Sequence, residues 1–342
     1  MTKVAVLGAG SWGTALSIVL ADNNHEVFLW THRKEQADEI NQTRRNEKYL
    51  DVTIPENIVS TNDISKAIHK CSYILLVVPT KAIREVCQLM KPYVTEDMII
   101  IHATKGIEPS SFKRVSEMIF EELQTYKYEN ITVLSGPSHA EEVAKRDPTT
   151  VTVSAINFKK AKAVQDLFIN KSFRVYTSDD IIGIELGGSL KNIIALSTGI
   201  SDGLGYGDNA KAALITRGLA EIARLSTALG ANPLTFLGLP GVGDLVVTCT
   251  STHSRNWRAG YMLGQGKKLD DVLREMGMVV EGVRTTKAAY ELAKSQNIDM
   301  PITNGIYQLL YENKSAEEIA IYLMKRSRKS EIEGFASLLG NN

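Results

Sequence analysis

Apolar and polar positions change rhythm partway along the chain. Through the first half, short apolar runs alternate with stretches of helical periodicity, the pattern of a parallel sheet covered by helices. Runs at residues 3–7, 26–30, 73–78, 98–102, 131–134, 150–155 and 173–176 read as strands, and 12–22, 64–70, 81–90 and 158–168 as helices. Ile74-Leu75-Leu76-Val77-Val78 and Met98-Ile99-Ile100-Ile101 are apolar without a break, which predicts central strands buried on both faces. Beyond about residue 180 the strand signals fade. Leu186, Leu190, Ile193, Ile194 and Ser197 share one side of a helix, Asn209 is placed to cap another over 210–229, and Ser315 with Glu318 forms a capping-box pair ahead of 319–324. The pattern predicts an α/β domain over residues 1–180 and an all-α C-terminal domain over 181–342. A length of 342 residues agrees, since single cores stop growing beyond about 250–300 residues.

Composition narrows the function classes. Hydrophobic residues at 44% and charged residues at 23% suit a soluble globular protein. Lys plus Arg and Asp plus Glu each number 39, which leaves no global field to draw nucleic acid or an anionic membrane, so any anion must be held locally. Cys71, Cys87 and Cys249 lie far apart, and His25, His32, His69, His102, His139 and His253 are scattered, so neither a disulfide framework nor a metal site is expected. The uncharged run over 4–21 imitates a secretory signal but is broken by Gly8, Gly10, Ser11, Gly13 and Thr14 where such a signal is most apolar. No other stretch approaches the ~20 apolar residues of a membrane span, so a cytoplasmic protein without membrane insertion is expected. The basic cluster Lys325, Arg326, Arg328 and Lys329 reads as a solvated helix end rather than a binding surface.

Gly8-Ala9-Gly10-Ser11-Trp12-Gly13 directly follows the first strand and opens a helix. In that context Gly8 allows the tight turn, Gly10 lets backbone approach a pyrophosphate, and Gly13 lets helix pack on strand, the fingerprint of a Rossmann-type dinucleotide-binding domain. NAD-specific sites carry a carboxylate at the end of the second strand for the ribose 2′-hydroxyl. Here Trp30-Thr31-His32-Arg33 stands instead, offering donors and positive charge to a 2′-phosphate. NADP(H) is therefore expected to be accepted and preferred over NAD(H), the alternative being that Arg33 is an ordinary surface arginine.

Strand carboxyl ends are where ligands lie in open α/β sheets, which draws attention to Pro79-Thr80 and to Ala103-Thr104-Lys105-Gly106. The segment from Ser135 through Gly136, Ser138 and Ala140 opens a helix and fits a structural turn as well as an anion loop. In the helical half, Gly187-Gly188-Ser189-Leu190-Lys191-Asn192 places a lysine beside small residues, either snorkelling or approached by another group. Gly241-Val242-Gly243-Asp244 and Thr248 precede Ser254-Arg255-Asn256, where Ser254 can cap a helix and Arg255 offers a bidentate fork to phosphate.

With these motifs in order, the chain resembles the bacterial NAD(P)-dependent glycerol 3-phosphate dehydrogenase family over nearly its whole length. GAGSWGTAL, ATKGIE, LSGPSHA, GSLKNIIA, GVGDLVVTC, SRNWRAG and VVEGV all occur in the family's order and spacing. The resemblance implies that Ser11, Trp12, His32, Arg33, Tyr49, Lys105, Ala140, Arg255, Val279 and Glu281 contact the dinucleotide. It implies that Lys105, Gly136, Ser138, Lys191, Asp244, Ser254, Arg255 and Asn256 surround the substrate, with Lys191 as proton acceptor. The segment between Thr248 and Arg255 looks longer than in the eukaryotic branch, which leaves the contacts of residues 251–253 open.

The implied reaction is reduction of dihydroxyacetone phosphate to sn-glycerol 3-phosphate, supplying phospholipid synthesis, with Lys191 as acid in that direction and base in the other. Lys105 would lower and Asp244 would raise the Lys191 pKa, and sequence leaves the outcome open. A homodimer is the expected assembly. Two other readings stand beside this one: a β-hydroxyacid-type dehydrogenase of the same layout, and a non-catalytic NADPH-sensing module.

Overall fold

Strand β1 (Lys3–Leu7) runs into the glycine turn that delivers the chain to α1 (Ser11–Asp22). The structure, a computed structural model, describes residues 2–124, 126–328 and 330–331; Lys329 of the basic cluster lies outside them. The chain divides into two compact units, one drawn from Met1–Thr104 and Val115–Ile181, the other from Lys105–Arg114 and Ile182–Asn342.

The first unit continues with β2 (Glu26–Trp30), α2 (Lys34–Thr43), β3 (Ile58–Thr61), α3 (Ile64–Ile68), β4 (Tyr73–Leu76), α4 (Ile83–Met90), β5 (Ile99–His102), α5 (Val115–Leu123), β6 (Ile131–Ser135), α6 (Ala140–Ala144), β7 (Thr149–Ser154), α7 (Phe158–Phe168) and β8 (Phe173–Ser178). These eight strands form one sheet in the order β3-β2-β1-β4-β5-β6-β7-β8. Successive residues of β1 face opposite sides, as a strand requires. Val4 and Val6 join the core beneath α1 and α7, while Ala5 and Leu7 join that beneath α3, α4 and α5. Strand order reverses between β1 and β4, so the glycine turn leaves the carboxyl end of β1 at the switch point of a Rossmann-type sheet.

Two features depart from the sequence reading. The pairing of β6 with β7 is antiparallel, within an otherwise parallel sheet. The connection, residues 136–148, carries only one short helix, the five-residue α6, about 7.5 Å long against the roughly 17 Å of a five-residue strand, so that helix alone does not span the sheet as a crossover helix does. Strand β3 was not among the expected strands. Its four residues, Ile-Val-Ser-Thr at the sheet edge, are too few to establish a period.

The described remainder of the second unit is helical: α8 (Ile181–Gly203), α9 (Asp208–Ala228), α10 (Asp244–Thr250), α11 (Arg255–Gly264), α12 (Leu269–Met276), α13 (Glu281–Ser295), α14 (Pro301–Tyr311) and α15 (Ala316–Met324), together with an Ile107–Arg114 bridge. Helix α8 is buried around nearly its whole girth, the expected place for a helix apolar on every side. It lies backbone to backbone against α11: a Cβ at Gly260 or Gly264 would overlap the carbonyl oxygen of Leu196 or Ile200. That approach brings the start of α11 to the same helix that carries Lys191. The cap of α9 is Gly207 rather than Asn209; the helix begins one residue before Asn209, with Asp208 in its first turn, where a negative charge complements the dipole. Ser315 and Glu318 form both bonds of the capping box. In the basic cluster, Arg326 is held by Asp299 at 2.6 Å, so it is not simply solvated.

Candidate active site

In the first unit the glycine turn is shaped by close packing on one side and open space on the other. Gly8 has φ +123°, and a Cβ there would lie 2.6 Å from the Val77 carbonyl oxygen; one at Gly13 would overlap the Gly8 carbonyl. At Gly10 a Cβ would meet nothing within 4 Å. Gly10 is also the N-cap of α1 and brings no side chain to its first amides, so the N–H groups of the first turn are left for an anion to meet. This cradle fits a dinucleotide pyrophosphate.

Beside it, the Ser11 hydroxyl donates to the Tyr49 carbonyl at 2.8 Å. Arg33 donates to Gln36 Oε1 at 2.9 Å and to the Tyr49 hydroxyl at 3.3 Å, with its guanidinium 5.7 Å from the Tyr49 ring centre. Its Nε is buried without a hydrogen-bond partner, so the guanidinium retains donor capacity. His32 is exposed. Sequence reasoning missed Gln36 and Asn46, both buried. The available signal was position: Gln36 lies with Ala37 and Ile40 among the buried residues of α2, where a polar side chain needs partners. Gly136, at φ +151°, is pressed against the backbone of Val151, Ser138 donates to the Gly136 carbonyl at 2.9 Å, and Ala140 opens α6, which packs on α1.

In the second unit, long-range packing assembles a charged cluster. A single π-helical turn, Leu239–Gly243, precedes α10. Gly187 lets α8 pass that turn closely, since a Cβ would lie 2.8 Å from the Pro240 carbonyl oxygen. One helical turn later Lys191 Nζ donates to Asp244 Oδ1, and also to Thr248 Oγ1 at 2.7 Å. Lys105 Nζ reaches the other carboxylate oxygen at 2.7 Å, and the Thr248 hydroxyl donates to the Asp244 carbonyl at 2.6 Å. Arg114 pairs with Glu185 at 2.6 Å, tying the segment that carries Lys105 to α8.

Two ammonium groups thus share one carboxylate, itself 1% exposed. Burial alone would raise the Asp244 pKa, but the charges of Lys105 and Lys191 outweigh it and hold it below the usual carboxylate value. For Lys191 the balance is opposite: burial is the largest influence, and with repulsion from Lys105 it overcomes attraction to Asp244, bringing the pKa from 10.5 down to about 7. A single carboxylate can neutralise only one of two ammoniums, and Lys191 is the more buried.

At the start of α11, buried Ser254 accepts from the Trp257 amide and caps the helix. Asn256 donates to Asn192 Oδ1 at 2.9 Å and accepts from the Gly282 amide at 2.8 Å, joining α8, α11 and α13 beside Lys191. Arg255 is exposed, with a long 3.5 Å contact to the Val279 carbonyl, and Glu281 opens α13. The second unit therefore gathers Lys105, Lys191, Asp244 and Thr248, and links them through Asn192 to the α11 start. The glycine turn, Arg33, Tyr49, Gly136, Ser138 and Ala140 belong to the first unit. Among the described residues no group of three or more His, Cys, Asp or Glu side chains is arranged to hold a metal ion, and no helix is long and apolar enough to cross a membrane.

Comparison with known proteins covers both units. Residues 3–161 match the family model for the NAD-dependent glycerol-3-phosphate dehydrogenase N-terminus, and residues 180–321 that for the C-terminus. A glycerol-3-phosphate dehydrogenase (NAD(P)+) of Oceanobacillus iheyensis is 67% identical over 99% of this chain and 98% of its own. One of Geobacillus thermodenitrificans is 61% identical over 99% of each. The crystal structure of glycerol-3-phosphate dehydrogenase from Coxiella burnetii superposes with a TM-score of 0.91 at 39% identity, covering 95% of this chain and 99% of that one.

Proposed function

The chain belongs to the NAD-dependent glycerol-3-phosphate dehydrogenase family, and from that premise we propose that it reduces dihydroxyacetone phosphate to sn-glycerol 3-phosphate for phospholipid synthesis. The observation that carries the reading is the Lys105–Asp244–Lys191 cluster, a proton donor held at a tuned pKa. Bound NAD(P)H supplies the hydride for the ketone carbon. Negative charge developing on the carbonyl oxygen is met by the Lys191 ammonium, which gives up its proton and remains as an amine beside Thr248 and Asp244; in the oxidative direction the amine takes the proton back. A pKa near 7 suits both directions, since donor and acceptor forms then coexist at neutral pH.

Lys105 and Asp244 orient Lys191 and, with Gly136 and Ser138, surround the substrate. Arg255 and the amides at the start of α11, shaped by Ser254 and Asn256, take the phosphate, whose binding energy positions the ketone. Ser11, Trp12 and the α1 amides take the pyrophosphate; His32, Arg33 and Tyr49 take the 2′-phosphate, making NADPH the preferred coenzyme. Lys105, Ala140, Arg255, Val279 and Glu281 complete the dinucleotide contacts. We place the enzyme in the cytoplasm, a reducing compartment that suits three free cysteines, as a homodimer. The test is NADPH oxidation with dihydroxyacetone phosphate beside a panel of β-keto acids. Turnover of a keto acid but not of dihydroxyacetone phosphate would overturn the substrate, and NADPH binding without any turnover would overturn the activity.

A further inference from the structure

Beneath the glycine turn lies a buried amide network to which the reaction assigns no part. Gln36, 5% exposed, uses both ends of its side chain. Its Oε1 accepts from the Thr31 hydroxyl at 2.7 Å and from the Arg33 guanidinium at 2.9 Å. Its Nε2 donates to the Ala9 carbonyl at 2.7 Å and to Asn46 Oδ1 at 3.0 Å. The orientation is forced, because a guanidinium only donates and a carbonyl only accepts. Asn46, 1% exposed, adds a second donor to the Ala9 carbonyl at 3.0 Å and another bond to Thr14 Oγ1 at 2.8 Å. Two side-chain amides thus pin the carbonyl of the Ala9–Gly10 peptide. In a trans peptide that aims the Gly10 N–H to the opposite side.

We propose that Gln36 is a positioning residue for coenzyme selection, joining the peptide that faces the pyrophosphate to the arginine that faces the 2′-phosphate. The proposal rests on the reading of Arg33 given above. Neutrality is the point of a glutamine here. A glutamate would hold Arg33 as an ion pair and compete with a 2′-phosphate for its charge, and would turn an oxygen toward the Ala9 carbonyl where a donor now stands. Gln36 carries the arginine while leaving its charge uncompensated.

The test compares Kd for NADPH and NADH, read by nicotinamide fluorescence, in Arg33→Ala, Gln36→Met and the double variant, each with a thermal melt. Gln36→Met is expected to weaken both coenzymes slightly through Ala9 and to lower the NADPH preference further, by about 2-fold to 10-fold, the worth of one hydrogen bond. In the Arg33→Ala background the same change should leave the preference where Arg33→Ala put it, because Gln36 acts through Arg33. Equal weakening of both coenzymes in folded Gln36→Met, or a full additive loss of preference in the double variant, overturns the proposal alone. An unchanged preference in Arg33→Ala overturns the reading of Arg33 and this proposal with it. Should Gln36→Met fail to fold, Gln36→Glu retains the size and the Arg33 contact, and it must shift preference toward NADH; an unshifted ratio overturns the proposal.

Discussion

In the first unit, α1 amides that no side chain caps and one arginine held by a neutral glutamine amide present positive potential, whereas in the second two ammonium groups share a single buried carboxylate. The first arrangement leaves positive potential uncompensated so that a ligand can complete it. The second compensates its charge internally and incompletely, so that one proton is loosely held. Binding calls for the former and proton transfer for the latter, and the difference separates the experiments that break each unit.

The largest effect is expected where the proton resides. Lys191→Met keeps the aliphatic stem but removes the proton, so kcat should fall by about 100-fold to 10,000-fold, while the first unit still binds NADPH with unchanged Kd. Single-turnover NADPH oxidation with saturating dihydroxyacetone phosphate, beside a melt, decides this. A folded variant reducing substrate at the parent rate would remove Lys191 from the chemistry and leave Lys105 or a water as the acid.

Asp244→Asn attacks the same cluster through its partner. Removing one member of a buried charge pair costs on the order of 3–5 kcal/mol, which should appear as a lowered denaturation midpoint. With its attractor gone, the Lys191 pKa should fall further and the reductive reaction retreat to lower pH. A folded variant with the parent pH profile would show that Asp244 does not govern Lys191.

The contrast between the units also explains what the sequence made legible. The glycine turn works through backbone geometry over six consecutive residues, so its spacing alone announces it. The lysine cluster joins residues 53 and 139 positions apart, and no local pattern encodes such a meeting; only the family resemblance drew Lys105, Lys191 and Asp244 together. Periodicity gave the strand–helix alternation and the helical second half, but it could not tell that β7 runs antiparallel to β6. It places residues 105–114 in the α/β domain, whereas the Arg114–Glu185 pair binds Lys105–Arg114 to α8 within the second unit. Gln36 and Asn46 carry no motif of their own, because a buried amide has the same side chain as a surface one and only its position on the folded element sets it apart.

A smaller effect is expected at the start of α11, where the second unit, like the first, offers helix amides and an arginine, here exposed. Arg255→Lys keeps the charge but loses the planar fork, so KM for dihydroxyacetone phosphate should rise about tenfold, the equivalent of roughly one charge-assisted hydrogen bond. NADPH binding should weaken with it if Arg255 also touches the coenzyme. Unchanged constants for both ligands would take Arg255 out of the site.

Thr248 offers the finest cut, because its hydroxyl accepts from Lys191 Nζ at 2.7 Å without carrying charge. In the parent enzyme Lys191 has a folded pKa of about 7 against 10.5 unfolded. Between those values the unfolded chain binds the extra proton, so this group makes stability rise with pH over that window. Activity follows the protonated form in one direction and the neutral form in the other: ketone reduction should decline as pH rises through about 7, while glycerol 3-phosphate oxidation climbs. Thr248→Val removes an acceptor that favours the ammonium. The loss of one hydrogen bond, about 0.5–1.5 kcal/mol, corresponds to roughly 0.4–1.1 pH units at 1.36 kcal/mol per unit, and its sign is downward. Both limbs should therefore move to lower pH together, with reduction at neutral pH falling by a few fold and oxidation gaining. Rate profiles in the two directions on one preparation make the check. Limbs that stay in place, or that move upward, would show that the hydroxyl does not hold the Lys191 proton, and would leave Asp244 as the group that does.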